Sequence, residues 1–98
     1  MNLFDKNIPE FGENFETLFE NKNIKISKIV SSNKIPQKEY NQKENEFVFL
    51  LDGEAKLKIN NQIKTLKKGE YLYIPAHTPH TLISTSNGAL WLAIYFEC

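Results

Sequence analysis

Polar and apolar residues alternate without a slip through Glu54-Ala55-Lys56-Leu57-Lys58-Ile59-Asn60, the period-two pattern of a half-buried β-strand. Asp52-Gly53 just before it is a two-residue turn signal. Glu46 to Leu51 before that turn reads as the other arm of a hairpin. Asn60-Asn61 marks the next reversal, because Asn tolerates left-handed backbone, and Gln62 to Leu66 resumes the alternation. After a break at Lys67 to Glu70 the chain runs Tyr71 to Ile74, stops at Pro75, and resumes from His80 to Thr85. It then turns at Ser86-Asn87-Gly88 and ends with Ala89 to Phe96. Pro75 and Pro79 cannot donate to a ladder and so bracket a loop containing His77. Upstream, Phe15 to Glu20 and Ile24 to Val30 read as further strands, and Ser31 to Asn45 as a long polar connection.

About eight short strands at close spacing, with no long amphipathic helix, predict an all-β antiparallel sandwich or barrel. The last strand sharpens this. Leu90, Leu92, Ile94 and Phe96 share one face while Trp91, Ala93 and Tyr95 share the other, so both faces are apolar. Such a strand is central in a closed barrel or has its outer face covered by a second subunit, and a homodimer is the expectation. The N-terminal stretch, with its strand from Phe15, is a candidate to pair with a partner's sheet.

Composition narrows the function classes. The 98 residues suit a single domain, and the twelve cations balance twelve acids. All twelve cations are Lys. Without Arg or net positive charge the chain lacks the footprint and the planar reading group of a nucleic-acid binder. Two histidines, His77 and His80, and one cysteine, Cys98, exclude a disulfide scaffold or a cysteine-rich zinc module; Cys98 is expected to stay a free thiol. Apolar runs such as Phe47 to Leu51 and Ala89 to Phe96 are far short of the ~20 residues that cross a membrane. The N-terminus has no basic stretch or apolar h-region of a signal peptide, so a cytoplasmic location is expected.

Four polar residues fall where an apolar face begins or where an extended segment can turn inward. Glu46 shares a face with Val48 and Leu50, His80 with Leu82, and Tyr40 and Gln42 precede Glu46 at even spacing. Taken singly, Glu46 is as well read as a solvated strand end, and the histidines as parts of a Pro-rich turn.

Taken together, these residues resemble the cupin superfamily, in particular its small bacterial single-domain members. Gly69, Pro75 and His80 stand at the spacing of the second cupin motif, with His77 at the motif's inner Gly position and Ser84 at its final Asn. Glu46 and Gly53 match the latter half of the first motif, whose two metal-binding histidines fall here on Tyr40 and Gln42. The resemblance covers about residues 24 to 96. It implies an antiparallel double-stranded β-helix, or jelly roll, with residues 1 to 23 as an N-terminal extension of the same domain.

The resemblance also implies a site inside the barrel. By position, Gln42, Glu46 and His80 would be the metal ligands, His77 a candidate fourth, and a divalent ion (Fe, Mn, Ni or Zn) the cofactor. A neutral amide is a weak donor beside imidazole, so such a set would bind weakly. One reading is then a metal-dependent enzyme acting on a small organic metabolite, with Glu46, His80 and Tyr40 as catalytic groups. Another is a metal-free acid–base couple of Glu46 and His80. A third is a non-catalytic barrel that binds or senses a small ligand in a cavity lined by Tyr73, Val48 and Leu82 beside those polar groups.

Overall fold

The computed structural model describes residues 1–97; Cys98 lies outside the described residues. Its strands are β1 (Glu13–Glu20), β2 (Ile24–Ser31), β3 (Glu39–Tyr40), β4 (Asn45–Asp52) and β5 (Glu54–Ile59), followed by β6 (Gln62–Lys67), β7 (Tyr71–Ile74), β8 (His80–Thr85) and β9 (Ala89–Phe96). Eight of the nine fall where the alternation predicts them, within two residues at either end. The short β3 interrupts the expected loop and pairs Glu39 with Thr81 and Tyr40 with His80. β1 begins two residues early, at Glu13.

The strands form two antiparallel sheets, a five-stranded one in the order β1-β2-β9-β4-β7 and a four-stranded one in the order β3-β8-β5-β6. The turns carry the backbone predicted for them: Gly53 has φ 93°, and Asn60 and Asn61 have φ 48° and 65°. At Gly53 a side chain is also excluded by space, since an added Cβ would lie 2.5 Å from Ser86 Oγ.

β9 is central, held by β2 on one side and β4 on the other, which accounts for its two apolar faces. Trp91, Ala93 and Tyr95 point between the sheets, where Leu50, Val48, Ile74, Leu57 and Leu66 complete the core. Each such large side chain contributes about 1.5 to 3 kcal/mol by leaving water. On the other face, Leu90 and Val30 are covered, and the segment before β1 runs past this end of the sheet. Lys6 Nζ donates to Gly88 O at 2.6 Å and pairs with Asp52 at 3.3 Å, while Lys28 Nζ donates to Asp5 O. Further along that face the cover ends. Phe47, Phe49, Tyr71, Tyr73 and Phe96 form a ring cluster with centroids 5.4 to 6.4 Å apart, and Tyr71 stays 60 % exposed.

β1 pairs with the chain's own β2, Glu13 opposite Ser31 and Phe15 opposite Ile29. Its other edge has no neighbour in the sheet.

Candidate binding cavity between the sheets

A cavity of about 130 Å³ lies between the two inner faces. Its floor is apolar: Val48 and Ile74 from one sheet, Leu57 and Leu82 from the other. At one end four polar side chains, Tyr40, Gln42, Glu46 and His80, gather from β3, the loop after it, β4 and β8.

Local backbone chemistry sets each of these. Glu46 takes the inward position because it pairs with Ile74 on one side and Tyr95 on the other. Asn45, one residue earlier, fixes that strand end: its Oδ1 accepts from Tyr73 Oη and from the Ala76 N–H, both at 3.0 Å. Glu46 Oε1 accepts from Gln42 Nε2 at 3.0 Å and lies 3.8 Å from His80 Nε2. Glu46 Oε2 carries no hydrogen bond among the described residues. The backbone N–H of His77 donates to Gln42 O at 2.7 Å, tying the loop that carries Gln42 to the Pro-bracketed turn. His80 Nδ1 donates to Thr78 O at 2.9 Å, so its other nitrogen faces the carboxylate. Tyr40 stacks on the His80 ring, with centroids 5.8 Å apart and planes at 25°.

Electrostatics follow from burial. Glu46 is 7 % exposed, and desolvation holds its carboxyl above the ordinary glutamate range; the Glu13 charge adds to this, while His80 and the Gln42 hydrogen bond oppose it. Burial also raises Glu13, against the hydrogen bond it receives from Ser31, and raises the Tyr40 and Tyr95 hydroxyls.

Of the residues expected at the site, Tyr40, Gln42, Glu46, His80, Val48 and Leu82 all line the cavity. Tyr73 does not. It pairs with Phe47 in a strand whose inward residues are Leu72 and Ile74, so period two turns it to the outer face, where it is 47 % exposed. His77 is exposed on its turn at φ 60° and is absent from the lining. That backbone suits the glycine expected there far better than a branched side chain.

The donors offer little to a resident metal ion. Among the described residues no three His, Cys, Asp or Glu side chains come together in a metal-holding group. Gln42 offers only a neutral amide oxygen, a weak ligand, which leaves one imidazole and one carboxylate as strong donors. The residues do not fit a tightly held transition metal.

The far wall holds residues that the sequence reading did not assign to a site: Glu13 and Phe15 from β1, and Trp91 and Tyr95 from β9. The alternation already placed Trp91 and Tyr95 on a shared face. For Glu13 the signal was its even spacing from Phe15, but which face they share depends on pairing with β2.

With this geometry in hand, the Cupin domain family profile matches residues 30–95. The chain belongs to the cupin domain family. Its sheets form that family's jelly roll. This cupin is similar to a protein from Ralstonia eutropha JMP134 named a putative mannose-6-phosphate isomerase, at 28 % identity and TM-score 0.91, covering 100 % of this chain and 97 % of that one. It is similar in fold to an RmlC-like cupin from Shewanella frigidimarina NCIMB 400, at 17 % identity and TM-score 0.79, covering 89 % and 78 %. The iron(II) form of HppE with an alternative substrate shares the fold at 21 % identity and TM-score 0.76, covering 87 % of this chain and 50 % of that one. No curated protein sequence matches the chain.

Proposed function

We propose that this cupin binds a small organic molecule at the polar end of its cavity, with Gln42, Glu46 and His80 orienting the ligand and Tyr40 closing over it. The observation that carries this reading is the convergence of a buried carboxylate and a buried imidazole, from different strands, on an otherwise apolar cavity. A polar group kept in such a place costs stability unless something uses it.

Volume limits the ligand. A space of about 130 Å³ is close to the ~150 Å³ apolar cavity that takes benzene, so the ligand has few heavy atoms. A sugar phosphate of the kind in the Ralstonia protein's name would extend beyond it. Such a ligand would also put its phosphate on a wall with two carboxylates and no Lys or Arg.

Trp91 is the chain's single tryptophan and lies in the cavity wall, so its fluorescence reports occupancy. Titration with small polar organic probes should shift it in the wild type and not in Glu46→Ala or His80→Ala. Equal responses in all three proteins would overturn the reading. Elemental analysis of protein purified without added metal should find no stoichiometric iron, manganese, nickel or zinc; one equivalent, lost in both variants, would turn the account to metal chemistry.

A second reading has its own support in the 3.8 Å approach of His80 to Glu46, an arrangement suited to passing a proton through a bound hydroxyl or carbonyl. Any turnover by that route would show two titrating groups and be lost in His80→Ala.

This reading takes the protein as a cytoplasmic homodimer. Support for the dimer comes from the exposed ring cluster on the outer face of the five-stranded sheet and the unpaired edge of β1. The presence of a single cysteine in the chain supports the location.

A further inference from the structure

The cavity wall carries a second carboxylate. Glu13 reaches it from edge strand β1, held by a relay in which Trp91 Nε1–H donates to Ser31 Oγ at 3.0 Å and Ser31 Oγ donates to Glu13 Oε2. The titratable groups on the wall are then Glu13 from β1, Tyr40 from β3, Glu46 from β4, His80 from β8 and Tyr95 from β9, while β2, β5 and β7 contribute only Ile29, Leu57, Leu72's neighbour Ile74 and no charge. None of the chain's Lys residues lines the cavity. The one basic side chain, His80, has Nδ1 committed to a backbone carbonyl and approaches only Glu46.

One buried carboxylate, Glu46, and one half-buried one, Glu13, with at most one internal counter-charge make a negative cavity. Its remaining lining is aromatic: Trp91, Tyr95, Tyr40 and a Phe15 ring that lines the cavity while 59 % exposed. Carboxylates and ring faces attract the same kind of ligand, a cation with an apolar body. We propose that the cavity selects a small alkylammonium ion of about five to eight heavy atoms, its charge taken by Glu13 and Glu46 and its carbon body by the aromatic rings. The proposal rests on the binding reading above and names the ligand class. The desolvation that raises both carboxyls is what a bound cation would relieve.

Three probes of nearly equal shape decide it: tert-butylammonium, tert-butanol and pivalate, titrated into ¹⁵N-labelled protein at pH 7.5 and followed at the Trp91 indole resonance. The ammonium should bind at least tenfold more tightly than the alcohol, and pivalate more weakly still. Glu13→Gln should lose that tenfold preference while binding the alcohol as before, and Ser31→Ala, which removes the hydrogen bond that holds Glu13 at the wall, should reduce the preference in the same direction if Glu13→Gln does not fold. Ammonium affinity should also rise from pH 5 to pH 7.5 as the carboxyls ionise. If the alcohol or pivalate binds as well as the ammonium, the cation proposal falls and the binding reading stands. If none of the three moves the resonance, both fall.

Discussion

The two faces of the five-stranded sheet are built from the same strands and spend their residues in opposite ways. On the inner face, β4 presents Glu46, Val48 and Leu50, and β9 presents Trp91, Ala93 and Tyr95. On the outer face the same strands present Phe47, Phe49, Leu92, Ile94 and Phe96, joined by Tyr71 and Tyr73 of β7. The inner face therefore holds a buried carboxylate, Glu46, while the outer face shows aromatic rings to solvent. In a sheet built for stability alone the polar residues would face water and the rings would face the core. The inversion points to two uses: a small ligand inside and a protein surface outside.

That contrast can be broken one face at a time. The largest effect belongs to the inner face: Trp91→Ala should cost about 3 to 5 kcal/mol in denaturant unfolding, since the indole is nearly buried and its N–H anchors the Ser31–Glu13 relay. On the outer face, Tyr71→Glu with Tyr73→Glu should change the unfolding of the monomer by only about 1 kcal/mol, because both side chains are largely exposed in it. Light scattering should nevertheless report this variant at the 11.4 kDa monomer mass and the wild type at twice that. A wild type that is already monomeric at micromolar concentration would remove the outer half of the comparison.

Smaller, and of opposite sign, is Glu46→Gln. A carboxyl whose folded-state pKa is raised destabilises the fold once it must ionise, so its penalty grows as pH rises from the unfolded value of about 4.3 through the raised one. The variant should match the wild type near pH 4 and be more stable than it at pH 7.5, while losing ligand binding. Urea melts at the two pH values check this, and a variant less stable at pH 7.5 would contradict it. Smallest is Tyr73→Phe, which removes one exposed hydrogen bond to Asn45 and should cost about 0.5 kcal/mol with cavity binding unchanged.

Strand positions were legible because the turns between them are local: Asp52-Gly53, Asn60-Asn61 and Ser86-Asn87-Gly88 each need backbone that those residues supply cheaply. The polar end of the cavity was legible in part, since even spacing from an apolar run puts Glu46 with Val48 and His80 with Leu82. Tyr73 was misplaced although the same rule, applied from Ile74, turns it outward. Glu13 could not be found this way. Its side chain reaches the cavity only because β1 folds back on β2, a pairing between residues 18 positions apart that no short-range pattern encodes. His77 shows the converse: it stands at a motif position yet is exposed, because the motif there specifies backbone conformation rather than a side chain.

The central claim is that the concave face keeps two carboxylates out of water, at a cost to stability, for a ligand to use. A pH titration of the side-chain carboxyl ¹³C resonances tests it directly, with the exposed glutamates of the same chain as internal reference. The account predicts that Glu13 and Glu46 both titrate above the ordinary value of about 4.3 and that tert-butylammonium lowers both midpoints. Midpoints at or below that value for both residues would contradict it.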